Sequence, residues 1–245
     1  LVVHLYGMPA KMKEIGALSE RYGIPIIEDA AEALGSSIEG QVCGSFGAFG
    51  ILSFNGNKII TTSGGGALQS NDESAIAIAR FLATQAKDNA PHYEHSTLGY
   101  NYRMSNIAAA IGVGQLQVLD ERVAARRANY KFYEDLFKNV DGVQFLEEPQ
   151  GFLSNRWLSC VLLEQSKNKK LEPEHFRLHL EQDNIESRPL WKPMHMQPLY
   201  KDAAYFGGAV AQELFQKGLC LPSGSNLTDQ DKERIQKSIE AFLNY

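Results

Sequence analysis

Three side chains in the first quarter of the chain could do chemistry together: a carboxylate at Asp29, a hydroxyl at Ser53 and an amine at Lys58. Asp29 closes the apolar run Ile24-Pro25-Ile26-Ile27-Glu28-Asp29 and leads into Ala30-Ala31-Glu32. Lys58 follows 29 residues later, at the end of Ser53-Phe54-Asn55-Gly56-Asn57-Lys58. A carboxylate so placed can keep a pyridine nitrogen protonated and make the ring an electron sink, while a lysine can form a Schiff base and then carry a proton between carbon atoms. Ser53 and nearby backbone amides could take a phosphate. Spacing alone leaves a solvated surface lysine open as the alternative. Against it, no other charged side chain lies between Gly40 and Asn71.

These residues need elements to position them. Met12, Ile15, Leu18 and Tyr22 recur at helical intervals and stop at Gly23, so a helix is expected between an apolar strand over 1–6 and a second over 24–27. Strand, helix and strand in this order make a βαβ unit, with parallel strands covered on both faces. Asp29 then sits at the carboxyl edge, where open α/β sheets bind ligands. Short strands are expected at 49–54 and 67–68, a helix over 73–83, a polar loop over 85–102, and one long helix from Ser105, kinked near Gly112 and Gly114. Beyond Asp141-Gly142 the pattern predicts strands at 157–163, 185–188 and 219–221, and helices over 173–182, over 209–216 and after Thr228. Thr228 is the expected cap of the last helix.

Composition narrows the class. With 245 residues, 44% hydrophobic and 22% charged, the chain reads as globular, and no apolar run reaches a spanning length. A soluble cytoplasmic protein is the expectation. The net charge of -5 argues against nucleic-acid or acidic-membrane partners. Arg122, Arg126 and Arg127 read as a solvated helix face. Cys43, Cys160 and Cys220 are far apart in sequence and read as reduced, mostly buried residues. His175 and His179 stand four apart, but no carboxylate lies between them in metalloprotease order, so no metal is expected. His92 and His95 read as loop or interface residues. The glycines of Gly44-Ser45-Phe46-Gly47-Ala48-Phe49-Gly50 match neither a dinucleotide fingerprint nor a P-loop. The chain opens in an apolar run without an initiator methionine, which leads to the expectation that sequence precedes it.

Several separate blocks carry a resemblance. They are Val3-His4-Leu5-Tyr6-Gly7, Glu28-Asp29-Ala30-Ala31, Gly44-Ser45-Phe46-Gly47, Ser53-Phe54 with Lys58, and Gly64-Gly65-Gly66. Further on come Leu98-Gly99-Tyr100-Asn101-Tyr102-Arg103-Met104, Gln115-Leu116, Ser187-Arg188-Pro189 and Leu221-Pro222-Ser223. In this order, over essentially the whole chain, they resemble the DegT/DnrJ/EryC1/StrS family of sugar aminotransferases. The resemblance implies a pyridoxal 5'-phosphate (PLP)-dependent transferase of fold type I, like aspartate aminotransferase. Residues 1–120 would form part of the large α/β domain, and 121–245 a small C-terminal α+β domain entered by a long linking helix.

By the same resemblance, Lys58 holds the cofactor as a Schiff base, Asp29 pairs with the pyridinium nitrogen and Ser53 contacts the phosphate. Asn101 matches an asparagine that reaches the neighbouring subunit's phosphate in a homodimer, and Arg188 and His195 flank the sugar-nucleotide site. A packed loop histidine is the equal alternative for His195. Glu32 stands where many members have glutamine, which leaves its contact with the ring oxygen or the substrate open. Glu32 and the run 55–66 look most like the branch that makes UDP-N-acetylbacillosamine and related 4-amino sugars. The implied reaction passes an amino group from an amino acid, usually glutamate, to the C4 keto group of a UDP-4-keto-6-deoxy-N-acetylhexosamine. A sugar dehydratase of the same family is disfavoured by Lys58, since those carry histidine there; a non-catalytic sugar-nucleotide binder is the other alternative. The family's N-terminal part has no counterpart here, so this chain alone is expected to lack a complete site.

Overall fold

The computed structural model of the chain describes residues 1–165, 167–168 and 171–244. In chain order the elements are β1 (Val2–Val3), α1 (Met12–Tyr22), β2 (Ile27–Asp29), β3 (Ser37–Ile38), β4 (Gln41–Val42), β5 (Phe49–Ser53), β6 (Gly66–Gln69), α2 (Glu73–Ala83) and α3 (Asn106–Leu116). They continue with α4 (Leu119–Leu136), β7 (Val143–Phe145), β8 (Phe152–Leu153), β9 (Ser159–Leu163), α5 (Pro173–Gln182), β10 (Arg188–Pro189), α6 (Val210–Lys217), β11 (Gly218–Leu221) and α7 (Asp229–Asn244). Two units result, Leu1–Ala124 with Glu148–Trp157, and Ala125–Glu147 with Leu158–Tyr245, and the division falls inside α4. No helix among the described residues is long and apolar enough to cross a membrane.

The first unit is built on a sheet in the order β1-β2-β5-β6, with the first three strands parallel and β6 antiparallel at the edge. Helix α1 ends where Gly23 turns left-handed at φ 62°, a conformation that costs glycine little. Asp72 caps α2 by accepting the Ala75 N–H at 3.0 Å, and Ser105 caps α3 through the Ala108 N–H at 3.2 Å. A small antiparallel sheet, β4-β3-β8, returns residues 152–153 to this unit.

Four expectations shift here. The first strand stops at Val3, because Leu5–Gly7 forms a 3-10 turn with Tyr6 at φ 56° and the Tyr6 N–H directed to the Glu32 side chain. The second strand starts at Ile27 rather than Ile24, consistent with Pro25, which has no N–H to give a ladder. The helix expected from Ser105 is two helices that meet at Gln117-Val118, beyond the glycines. Gly112 serves a close approach instead: a Cβ there would lie 2.9 Å from Thr62 Cγ2. The covering of both sheet faces is also not met among the described residues, since Val3, Ile51 and Leu68, which register across the sheet with Asp29, are exposed.

Strand alternation sends Glu28 to the face opposite Asp29. There the Glu28 carboxylate, fully buried, accepts the N–H groups of Gly44 at 2.8 Å, Phe46 at 2.6 Å and Gly47 at 2.6 Å. His4 Nε2 completes the set at 2.9 Å; because His4 Nδ1 accepts the Ala10 N–H at 3.0 Å, the ring proton sits on Nε2 and is donated to Glu28. Burial alone would raise the Glu28 carboxyl, but His4 and the three backbone donors outweigh it and hold it below the usual carboxylate range. The loop they fix lies close over β5, where a Cβ on Gly50 would stand 1.9 Å from the Gly44 carbonyl oxygen.

The second unit is an antiparallel sheet, β10-β11-β9-β7, packed against helices. Tyr133, Leu163, Phe176, Leu180, Leu219 and Ile239 are at its centre, each at most 1% exposed. Glu172 caps α5 through the His175 N–H at 2.6 Å. Thr228 and Asp231 cap α7 reciprocally, each side chain accepting the other's backbone N–H at 3.1 and 3.0 Å. Cys160 and Cys220, 60 residues apart in sequence, are cross-strand partners with their sulfurs 3.8 Å apart, and none of the three cysteines is in a disulfide. The arginine cluster is not wholly solvated: Arg126 is buried, and burial pushes its guanidinium down to about 10.

Two outcomes test this frame. Glu28 has a folded-state proton affinity below its unfolded value near 4.5, so its stabilisation is full above that pH and is lost as pH falls through the lower folded value. Glu28→Gln should therefore destabilise the protein at pH 7 by about 2–4 kcal/mol and flatten the loss of stability below pH ~4.5 in urea titrations. Gly50→Ala should lower the urea midpoint by the equivalent of about 1–3 kcal/mol or block folding, and a wild-type midpoint would refute the packing described.

Candidate active site

The carboxyl edge of the parallel strands gathers the residues with chemistry. Asp29 ends β2, half-buried, and its Oδ1 accepts the Ala31 N–H at 3.1 Å, which fixes the carboxylate against its own turn. Asp29 registers with Ile51, so Ser53, two residues further along β5, belongs to the same face. Its hydroxyl is half-buried and accepts the Asn55 N–H at 3.4 Å.

Lys58 follows in a turn, with its backbone N–H on the Asn55 carbonyl at 3.1 Å. Its side chain is only 12% exposed, and two groups hold its amine. Glu32 Oε1 is 3.5 Å from Nζ, and the Trp157 ring centroid is 4.3 Å away, placing the cation over an aromatic face. The indole is itself positioned by its Nε1–H, which donates to the Asn57 carbonyl at 2.8 Å, one residue before the lysine.

Glu32 is as constrained as the lysine. It is 6% exposed, and its Oε2 accepts the Tyr6 N–H at 2.6 Å. Its backbone carbonyl takes the Asn155 side-chain amide at 2.8 Å. Burial raises the Glu32 carboxyl above the usual range; Tyr6 and Lys58 pull it down, Asp29 pushes it up, and the net direction is upward. The space around Gly7 is filled by this same network: at φ 89° it carries no Cβ, which would stand 1.9 Å from Asn155 Oδ1.

The remaining sequence candidates have partners of their own. Asn101 is exposed and forms a bridge with Thr84 at the end of α2. Arg188 and His195 belong to the second unit. Arg188 is exposed and its guanidinium bonds the Glu186 carboxylate, with Nε at 2.7 Å. His195 stacks on Tyr205 with ring centroids 3.9 Å apart. The other histidines have local partners: His92 meets Glu94 at 2.8 Å, His95 the Gln85 carbonyl at 2.9 Å and His179 the Ser238 carbonyl at 2.9 Å. No group of three or more histidine, cysteine or acidic residues suited to a metal occurs among the described residues.

Sequence reasoning passed over Trp157, Tyr6, Asn155 and the Glu28–His4 pair. Trp157 was visible only as the start of an apolar run, and Glu28 only as the neighbour of a more promising aspartate. The donor set present fits PLP: a strand-end carboxylate for a ring nitrogen, a hydroxyl for a phosphate, and a sheltered amine for an aldehyde.

Comparison with known proteins agrees with that fit. Residues 1–240 match the DegT/DnrJ/EryC1/StrS aminotransferase family. EpsN of Bacillus subtilis, whose name assigns it provisionally as a pyridoxal phosphate-dependent aminotransferase, is 52% identical over 248 residues, covering 100% of this chain and 62% of its own length. A GDP-perosamine synthase of Caulobacter vibrioides is 36% identical over 98% of this chain and 65% of its own. The crystal structure of the aminotransferase TlmJ from Streptoalloteichus hindustanus superposes with a TM-score of 0.90 at 28% identity, over 99% of this chain and 65% of that one. The chain thus spans slightly less than two thirds of the length of these relatives. With the family match running over nearly all of its residues, the chain belongs to the DegT/DnrJ/EryC1/StrS aminotransferase family.

Proposed function

We propose that this chain carries the lysine-bearing part of a PLP-dependent sugar aminotransferase, which moves an amino group from an amino acid to the keto carbon of a nucleotide-linked sugar. The observation that carries this reading is Lys58: an amine 12% exposed, held between Glu32 and Trp157 in the unit that also presents Asp29 and Ser53 at one strand edge. A lysine kept for solubility would not be placed there.

PLP, when bound, supplies an aldehyde that condenses with amines and a ring that accepts the electron pair left when a carbon is deprotonated. Lys58 Nζ would hold the aldehyde covalently and, once released, take a proton from one carbon and return it to another. Asp29 would keep the ring nitrogen protonated, and Ser53 Oγ would bond the phosphate. Asn101, exposed beside α2, would reach the phosphate of a second copy in a homodimer. Arg188 and His195 would contact the sugar nucleotide. On this reading an amino acid, glutamate first among those to test, loads the enzyme, and the sugar then takes the amine.

For the sugar, a UDP-linked 4-keto-6-deoxy-N-acetylhexosamine is the first choice, supported by Glu32 and the run 55–66. A GDP-linked 4-keto sugar is the second reading, because a relative 36% identical over 98% of this chain is named a GDP-perosamine synthase.

Joined to the N-terminal part that the family carries and purified with added PLP, the protein should show a visible absorbance band, and borohydride should trap the cofactor on Lys58 as a covalent adduct located by peptide mass spectrometry. Lys58→Ala should lose the adduct and reduce transamination by at least about 100-fold. Turnover of the UDP-linked sugar in preference to the GDP-linked one supports the first reading, and the reverse preference the second. Binding of either sugar without any adduct on Lys58 would replace the enzyme with a non-catalytic binder.

A further inference from the structure

Besides the contact with the ring oxygen or the substrate that the resemblance leaves open, the Glu32 carboxylate stands directly beside the lysine amine. We propose that Glu32 is the acid–base partner of Lys58: it holds the lysine ammonium whenever the amine is free, and takes its proton before the amine forms a new bond. The inference rests on Lys58 being the cofactor-bearing lysine.

Geometry gives the two carboxylate oxygens different work. Oε2 is committed to the Tyr6 N–H at 2.6 Å, and the Glu32 backbone is tied to Asn155, so the group cannot rotate freely. Oε1 is thereby aimed at Lys58 Nζ, 3.5 Å away. On the lysine side, the Trp157 ring at 4.3 Å adds attraction for the cation. The charged groups that act on Glu32 from the elements around it are Lys58 and Asp29, of opposite sign. Glu28, on β2, is bonded to His4 and the glycine loop and is not among them.

Proton exchange needs donor and acceptor of comparable affinity, and burial moves the Glu32 carboxyl upward, toward that of an amine. The step balances. Glu32 carboxylate would take a proton from the Lys58 ammonium; the freed lone pair of Nζ would form the new carbon–nitrogen bond as the bond from that carbon to the departing amine breaks, with Glu32 giving its proton to the departing amine and taking in exchange the further proton that Nζ sheds. Neither an oxidant nor a second acid is required. A glutamine at this position would keep the shape and the bond to Tyr6 but could neither offset the ammonium nor accept its proton.

The test reads Lys58 directly in protein loaded with pyridoxamine phosphate, where the lysine amine is free. Acetic anhydride labelling of Lys58 is followed by peptide mass spectrometry from pH 6 to 10 in wild type, Glu32→Gln and Glu32→Asp. Only the neutral amine reacts, so the rate reports how firmly a neighbouring carboxylate holds the ammonium. Glu32→Gln should therefore label about tenfold faster near pH 8. Glu32→Asp, which keeps the charge but withdraws it, should label faster by a smaller factor. In the same variants PLP should still be trapped on Lys58 by borohydride, while its release from Lys58 by glutamate slows by about 100-fold. Superimposable labelling curves in wild type and Glu32→Gln, or in wild type and Glu32→Asp should Glu32→Gln not fold, would overturn the proposal. Absence of a Lys58 adduct in wild type would instead remove the reading on which it rests.

Discussion

Much of the first unit hangs on one buried anion. The Glu28 carboxylate is fully removed from water, and such a charge persists only when its oxygens are saturated with donors. It collects those donors from His4 beyond β1, and from Gly44, Phe46 and Gly47 in the loop before β5. None of these segments can drift without leaving the charge under-bonded, at a cost of several kcal/mol. Since successive residues of a strand point to opposite faces, clamping Glu28 from one side also sets where Asp29 presents its carboxylate on the other.

Two glutamates four residues apart show how position alone divides their roles. Both are buried, and burial raises both. At Glu28 a histidine and three backbone N–H groups outweigh the desolvation, so the group is a fixed anion. At Glu32 one backbone N–H and one amine do not outweigh it, with Asp29 adding repulsion, so the proton affinity stays high. Titratable groups whose surroundings separate their proton affinities commonly take different tasks, and here Glu28 braces the loop before β5 while Glu32 faces the Lys58 amine.

Sequence reading succeeded where the signal was local. Helices α1, α2 and α5 have the predicted bounds because apolar spacing and end residues, Gly23, Asp72 and Pro173, act within one turn. Asp29 at a strand end was legible for the same reason. What stayed hidden depends on distant parts of the chain. Trp157 reaches the lysine 99 positions away, and Tyr6 reaches Glu32 across 26, with no periodicity to announce either. The helix break was misplaced because Gly112 was read as a flexible point, whereas the space beside Thr62 is what calls for glycine there. Cys160 and Cys220 are neighbours only once β9 and β11 are registered.

The two units also differ in how their candidate residues are held. Lys58, Glu32 and Asp29 are each restrained by short contacts with backbone or buried side chains, as chemistry at fixed atoms requires. Arg188 is instead exposed and bonded to a nearby exposed glutamate, while half-buried His195 stacks on Tyr205 in a stretch where Leu199 and Phe206 face solvent. Side chains held this loosely can be exchanged with little effect on folding, because few buried partners would be left unsatisfied. The same reasoning makes substitution at Lys58, Glu32 or Asp29 the costlier change, since each would leave a buried or backbone partner unsatisfied.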